Sequence, residues 1–193
     1  MSIQDFNHTI DTWIKELDRY DYKRLCAKPA PHGWSMGQLY MHLLEDTKFY
    51  MEQIEICVSS NEHENEEPSA DGKTMLANND FPNAVLEGAP SNAFIPQPEN
   101  KDQLLRDMLN LKAEMNRVSI RMSKSPFKGK TRHPGLDYFN ARDWLQFAEM
   151  HLRHHFRQKK RIDDFLRQTE NGSAEGAPPD QTFRSDKNSK KPT

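Results

Sequence analysis

The sequence lacks any run of apolar residues approaching the roughly 18 that a membrane-crossing helix requires. It has little cysteine: Cys26 and Cys57 are the only two in 193 residues, and their spacing is not that of a metal site. A reduced, cytoplasmic protein is therefore the expectation. The N-terminal "MSIQDFNHTI" carries an acid and no apolar core, so no signal peptide is expected either. Neither sign of charge is in excess. Lys and Arg number 27 against 29 Asp and Glu, a net charge of −2, which argues against nucleic acid or an anionic membrane as partner. Strand-type alternation and internal repeats are also missing. Apolar residues make up only 35% and charged ones 29%, so part of the chain is expected to stay outside the core.

What the sequence does have is helical periodicity, in four segments. The first covers about residues 3–21, with Phe6, Ile10, Trp13, Leu17 and Tyr20 three and four apart and Ser2 and Asp5 suited to cap it. The second opens at "WSMGQL", where Ser35 and Gln38 form a capping box and Trp34 can staple onto Leu39, and continues to about Val58. The third follows Asn100 with a narrow stripe of Leu104, Met108, Leu111, Met115, Val118 and Met122. The fourth opens at "FNARDW", capped by Asn140 with Asp143 three later and Phe139 stapling onto Trp144, and runs to about Arg167.

Between the second and third segments lies a connection from 59 to 99, acidic in "NEHENEEPSADG" and more apolar in "FPNAVLEGAPSNAFIPQPE". It reads as a flexible tip followed by a strap across the bundle. "RHPGLDYF" reads as a short turn. The Pro-, Gly- and Ser-rich stretch 169–193 is expected to be a disordered polar tail. The expected fold is all-α: one four-helix bundle domain over residues 1–168, antiparallel or with a crossover.

The fourth segment raises a chemical question. On a wheel of 100° per residue with Trp144 at zero, His151 falls near about −20° and His155 near about +20°, while Ile162 returns to about zero. Glu149, Arg153, Arg157 and Lys160 fill the opposite face, expected to be solvated. Two imidazoles thus sit one turn apart at the centre of the apolar arc. That is the spacing with which one helix offers two ligands to a single ion. It is also compatible with two hydrogen-bonded core histidines. His42, on the inward side of the second segment between Leu39 and Phe49, can supply a third nitrogen if the two helices face each other. Asp46 follows it by one turn, with Glu45 on the flank. His8, His32, His63 and His154 read as solvated, and His133 as shaping the turn before the fourth helix.

The residues "WSMGQLYMHLLED" and "HPGLDYFNARDWLQFAEMHLRHHFRQ", in that order and at this separation, resemble the DinB-like (YfiT-like) superfamily of metal-binding four-helix proteins. The matching positions are Trp34, Ser35 and His42 in the first block and Trp144, His151, His155 and Gln158 in the second. The resemblance implies a bundle whose His42, His151 and His155 bind a divalent transition ion, zinc or nickel foremost and iron next, and a homodimer. It further implies thiol-dependent transferase or isomerase chemistry with a low-molecular-weight thiol, or metal-dependent hydrolysis.

On that basis an enzyme is the leading expectation, with a three-histidine ion activating a thiol or a water. Asp46, or Glu45 less readily, would orient a histidine or act as base, and Gln158 would hydrogen-bond a ligand. Phe81, Phe94 and Ile95 of the strap would shape selectivity. The alternative is a non-enzymatic bundle that binds a metal or a partner, in which Asp46 would close the site as a fourth ligand.

Overall fold

The computed structural model describes residues 2–31, 33–82 and 94–172. Its elements are α1 (Ile3–Leu17), α2 (Tyr22–Cys26), α3 (Met36–Cys57), α4 (Ala70–Asn78), α5 (Lys101–Lys124), β1 (Lys130–His133), β2 (Asp137–Asn140), α6 (Ala141–His154) and α7 (Phe156–Gly172). The four expected helix starts are all where the caps put them. Ser2 with Asp5, Ser35 with Gln38 and Asn140 with Asp143 form reciprocal capping boxes, and the Asn100 side chain accepts from the Gln103 amide. Among the described residues no helix is long and apolar enough to cross a membrane.

Helix α1 and helix α3 each lie between α5 and the α6–α7 pair. Cross-helix bonds give the directions. Asn7 pairs with Asn116 and Asp11 with Lys112, so α1 and α5 are antiparallel. Thr9 meets Glu149 and Tyr20 meets Asp163, so α1 runs parallel to α6 and α7. His42 meets His155 while Cys57 meets Phe139, so α3 opposes α6. Ser35 bonds Gln97 at one end and Glu55 bonds Arg121 at the other, so α3 and α5 are parallel. This is the crossover form of the bundle. Two parallel neighbours cannot be joined by a tight turn, and α3, 22 residues long, spans about 33 Å. The long 59–99 connection exists to carry the chain back along that length.

The core is one contiguous cluster whose largest fully buried side chains include Trp13, Trp144, Tyr20, Tyr40, Phe6 and Phe139. Phe49, expected to face inward, is 39% exposed, although its ring still meets Trp144 at 5.8 Å.

Four features depart from the sequence reading. The first segment ends at Leu17, and Asp21 caps the separate short helix α2 by accepting from the Arg24 amide. The 59–99 connection contains a helix, α4, capped by Ser69 and closed by Asn79 in the left-handed region at φ 51°. The "RHPGLDYF" turn is an antiparallel hairpin pairing Lys130 with Asn140 and His133 with Asp137, where no strand was expected. Its strands, "KTRH" and "DYFN", are four residues each and carry no alternation to read. Lastly, the fourth segment is interrupted at His155. Of the expected tail, 169–172 complete α7 and 173–193 lie outside the described residues, as do His32 and 83–93 of the strap.

Candidate metal centre

Helix α3 begins at its capping box and brings His42 round to the inward face two turns later, flanked by the fully buried Leu39 and Leu43. Helix α6, started by Asn140 and pinned by the Phe139–Trp144 ring contact at 5.2 Å, brings His151 to the same level from the opposing direction. His155 follows at the interruption between α6 and α7. The three imidazoles are 4%, 7% and 9% exposed.

Their ring nitrogens turn toward one point. His42 Nε2 lies 3.1 Å from His155 Nε2, which lies 3.0 Å from His151 Nε2. One nitrogen from each residue falls within 4.8 Å of the others. The fit to an ion can be judged from these separations. Two bonds of about 2.0–2.1 Å meeting at about 90–110° span roughly 2.8–3.4 Å.

Protonation points the same way. Burial pushes the His42 imidazole down to about 4 and the His155 imidazole down to about 3. His151 is held well below its ordinary value by burial and then by the neighbouring imidazoles. The rings are therefore neutral near pH 7, each with one N–H and one lone pair. His155 Nδ1 lies 3.0 Å from the Gln158 side-chain oxygen, an acceptor, so its proton belongs on Nδ1 and its lone pair on Nε2. His42 Nδ1 makes no hydrogen bond, but the carboxylate of Asp46, with Oδ1 3.5 Å away, favours a proton on that nitrogen through its charge. Two lone pairs then face each other across 3.1 Å in a buried place. A cation between them turns that repulsion into attraction, so the donor set fits a divalent transition ion.

Around the cluster, Asp46 is the half-buried carboxylate. Its other oxygen, Oδ2, lies 3.4 Å from His151 Nε2 and accepts the Tyr50 hydroxyl at 3.3 Å. Burial raises the Asp46 carboxyl to about 6, with the Tyr50 hydroxyl opposing and Glu45 adding to the shift. Glu45 itself is exposed. The Trp34 ring sits 4.8 Å from His42, and Phe81 stands 6.2 Å from His151 and 4.9 Å from His154.

The structure thus brings His42, His151, His155, Asp46 and Gln158 together. It divides the strap residues: Phe81 packs beside the histidines, the Ile95 carbonyl accepts from Gln38 at the start of α3, and Phe94 is 84% exposed. His154, expected in solvent, has a buried Nδ1 and packs on Phe81. His133 shapes the hairpin turn as expected, its Nδ1 accepting the Gly135 amide at 3.1 Å. Tyr50 was not anticipated, though its place one turn after Asp46 and two after His42 is the signal that would have found it.

No curated protein and no solved structure matches the chain. A family model described as the DinB superfamily matches residues 5–158, a span that begins in α1, takes in α3, α5 and α6, and ends at the Gln158 that holds His155. A crossover four-helix bundle with three inward histidines, under a family match over most of its length, means that the chain belongs to the DinB superfamily.

Proposed function

We propose that the protein binds one divalent transition ion, zinc or nickel foremost, through His42, His151 and His155, and that it works as a metal-dependent enzyme on a small-molecule substrate. The observation that carries the metal reading is the convergence of three buried nitrogens, two of their separations 3.0 and 3.1 Å, with Gln158 directing the His155 lone pair inward. Three protein ligands are the complement of a catalytic site, which leaves room for a further group. When bound, such an ion supplies a Lewis acid that makes a thiol or a water acidic enough to serve as nucleophile near neutral pH.

The chain's own residues supply the rest. Gln158 fixes the His155 tautomer. Asp46 places one oxygen 3.5 Å from His42 Nδ1, without a hydrogen bond between them, and presents its second oxygen beside His151, a position from which it can take the nucleophile's proton; the Tyr50 hydroxyl steadies that carboxylate. Trp34 and Phe81 give apolar walls that limit water. Two reactions fit these residues alike. A low-molecular-weight thiol gives its proton to Asp46 and attacks an electrophilic carbon as an epoxide C–O bond opens or a halide ion departs, or water attacks in the same way in hydrolysis. The Asp46 side chain, beside the cluster, keeps 31% of its surface in solvent, an opening that favours an enzyme over a closed structural site.

The test is elemental analysis of untagged protein beside His42→Ala, His151→Ala and His155→Ala. About one equivalent of transition metal, lost in all three variants while helicity survives, supports the reading. Wild-type protein that holds no metal and takes up neither zinc nor nickel overturns it.

A further inference from the structure

The last helix of the bundle should be one rod from Ala141 onward, since nothing in "AEMHLRHHFRQKKR" is a helix breaker. It is instead opened at His155, whose φ of −71° and ψ of −9° depart from the helical ψ of about −42°. Sharp departures of this kind have causes: proline, glycine, a bulge, or a side chain that enters the backbone ladder. Proline and glycine are absent from this stretch, and the side chain is identifiable.

Trp13 of α1 is fully buried, and its indole N–H donates to the Leu152 carbonyl at 3.1 Å. In an uninterrupted helix that carbonyl receives the amide of Phe156, four residues on. The face of the same indole lies flat on the Phe156 ring, with centroids 4.7 Å apart and planes 6° from parallel. Trp13 therefore holds the helix on both sides of His155, by a backbone acceptor before it and a side chain after it. The ladder resumes around the opening, with His155 N–H on the His151 carbonyl and Lys159 N–H on the His155 carbonyl. Trp13 also reaches α3. Its edge meets the Tyr40 ring at 5.2 Å, and its own carbonyl accepts the Tyr40 hydroxyl at 2.8 Å, two residues before His42.

We propose that Trp13 is a positioning residue for the three-histidine site: by taking the Leu152 carbonyl and stacking on Phe156 it opens the last helix at His155 and aims that imidazole at His42 and His151. The proposal rests on the metal reading above. His151 and His155 are already one turn apart on a regular helix, but a change of about 30° in one backbone dihedral moves a side chain by an ångström or more, the scale on which ligand geometry is lost. Trp13 makes no hydrogen bond to the histidine nitrogens; it acts on His155 through the last helix, and its contact with Tyr40 braces α3 beside His42.

The test uses the full chain, Trp13→Phe beside wild type and beside Leu17→Val, a fully buried α1 change. Amide exchange at Phe156 is measured in the metal-free proteins, and cobalt(II) affinity and visible absorption in the loaded ones. Loss of the indole N–H is expected to slow exchange at Phe156, as its amide recovers the Leu152 carbonyl. It is also expected to weaken cobalt about 10–100-fold with an altered band shape, the range in which outer partners of metal ligands act. Leu17→Val should change neither. Cobalt affinity and spectrum equal to wild type overturn the proposal, as does an equal loss in Leu17→Val. Wild-type protein that takes up no cobalt, zinc or nickel overturns the metal reading instead. Phe156 exchange then decides the structural half alone, and an unchanged rate in Trp13→Phe overturns it. If Trp13→Phe does not fold, Phe156→Leu removes the stack and keeps the N–H; a smaller weakening of cobalt binding supports the proposal and none overturns it.

Discussion

The side-chain oxygen of Gln158 stands 3.0 Å from Nδ1 of His155, on the far side of the ring from His42 and His151. An acceptor there decides which nitrogen of the imidazole carries the proton and so which one faces inward with its lone pair. Gln158→Leu removes the acceptor at similar size. It is expected to weaken zinc about 10–100-fold, whereas Gln158→Glu, which still accepts, keeps most of the affinity. Competition with a coloured chelator measures both. Equal weakening in the two variants would show that the amide matters for packing and not for the tautomer.

Asp46 gives a prediction that separates binding from chemistry. Asp46→Asn keeps the shape beside His42 and His151 and removes the base. Metal content should stay near one equivalent while the rate of a small thiol with an activated halide or epoxide falls about 10²–10⁴-fold. A variant that loses metal and rate in proportion would make Asp46 a ligand, in the manner of a closed site.

A third prediction concerns the segment beside the site. Glu149, 5% exposed, accepts from Thr9 and twice from Arg153, and Arg153 also donates to the Asn79 carbonyl that ends α4. Arg153→Met leaves the Glu149 charge with Thr9 as its donor and removes one of the two side chains, Gln146 being the other, that hold the α4 terminus. It should cost about 1–3 kcal/mol, since the arginine is only part-buried, and urea unfolding measures that loss. Limited proteolysis should at the same time cut faster between residues 70 and 82. A stability loss without new cleavage there would detach the ion pair from the anchoring of α4.

Alkaline pH supplies the fourth. Tyr20 is pushed up to about 12, by burial first and then by the hydrogen bond it donates to Asp163 at 2.6 Å. An unfolded tyrosine ionises near 10, so between about pH 10 and 12 the unfolded chain releases a proton that the folded one keeps. Stability present below about 10 is lost across that window. Lys159 adds to the loss: burial works against its ammonium, but Asp163 and Glu16, each 2.7 Å away, outweigh it and raise its value. Urea midpoints from pH 8 to 12 should fall steeply above 10, and less steeply in Tyr20→Phe. Tyr40 and Tyr50, both raised by burial, leave a residual slope in that variant.

The parts legible in the sequence were those governed by local rules. Caps at Ser2, Ser35, Asn100 and Asn140 mark helix starts because an orphaned amide needs an acceptor three residues back. His151 and His155 could be placed on one inward face because 3.6-residue periodicity assigns faces without any tertiary knowledge. His42 could be matched to them through its position between Leu39 and Phe49, although Phe49 is itself 39% exposed, and its partner helix through the resemblance. What stayed hidden depends on distant partners. The opening at His155 is set by an indole 139 residues before Leu152. The hairpin is held partly from outside itself, by Gly129 N–H on the Ser60 carbonyl and Lys130 N–H on that of Glu62. Helix α4 closes through Asn79, to which Gln146 and Arg153 of α6 bind.

The crossover arrangement also sets an order of events for a growing chain. His42 and His155 are 113 residues apart, and the helices that carry them meet only after the 59–99 connection has doubled back and α5 has been laid down. A nascent polypeptide that has not yet exposed α6 offers a lone imidazole, with no more hold on a transition ion than any surface histidine. If the three histidines hold an ion as proposed, occupancy of all three nitrogens reports that synthesis has passed His155, and a chain stalled or cleaved before residue 151 lacks two of the three ligands.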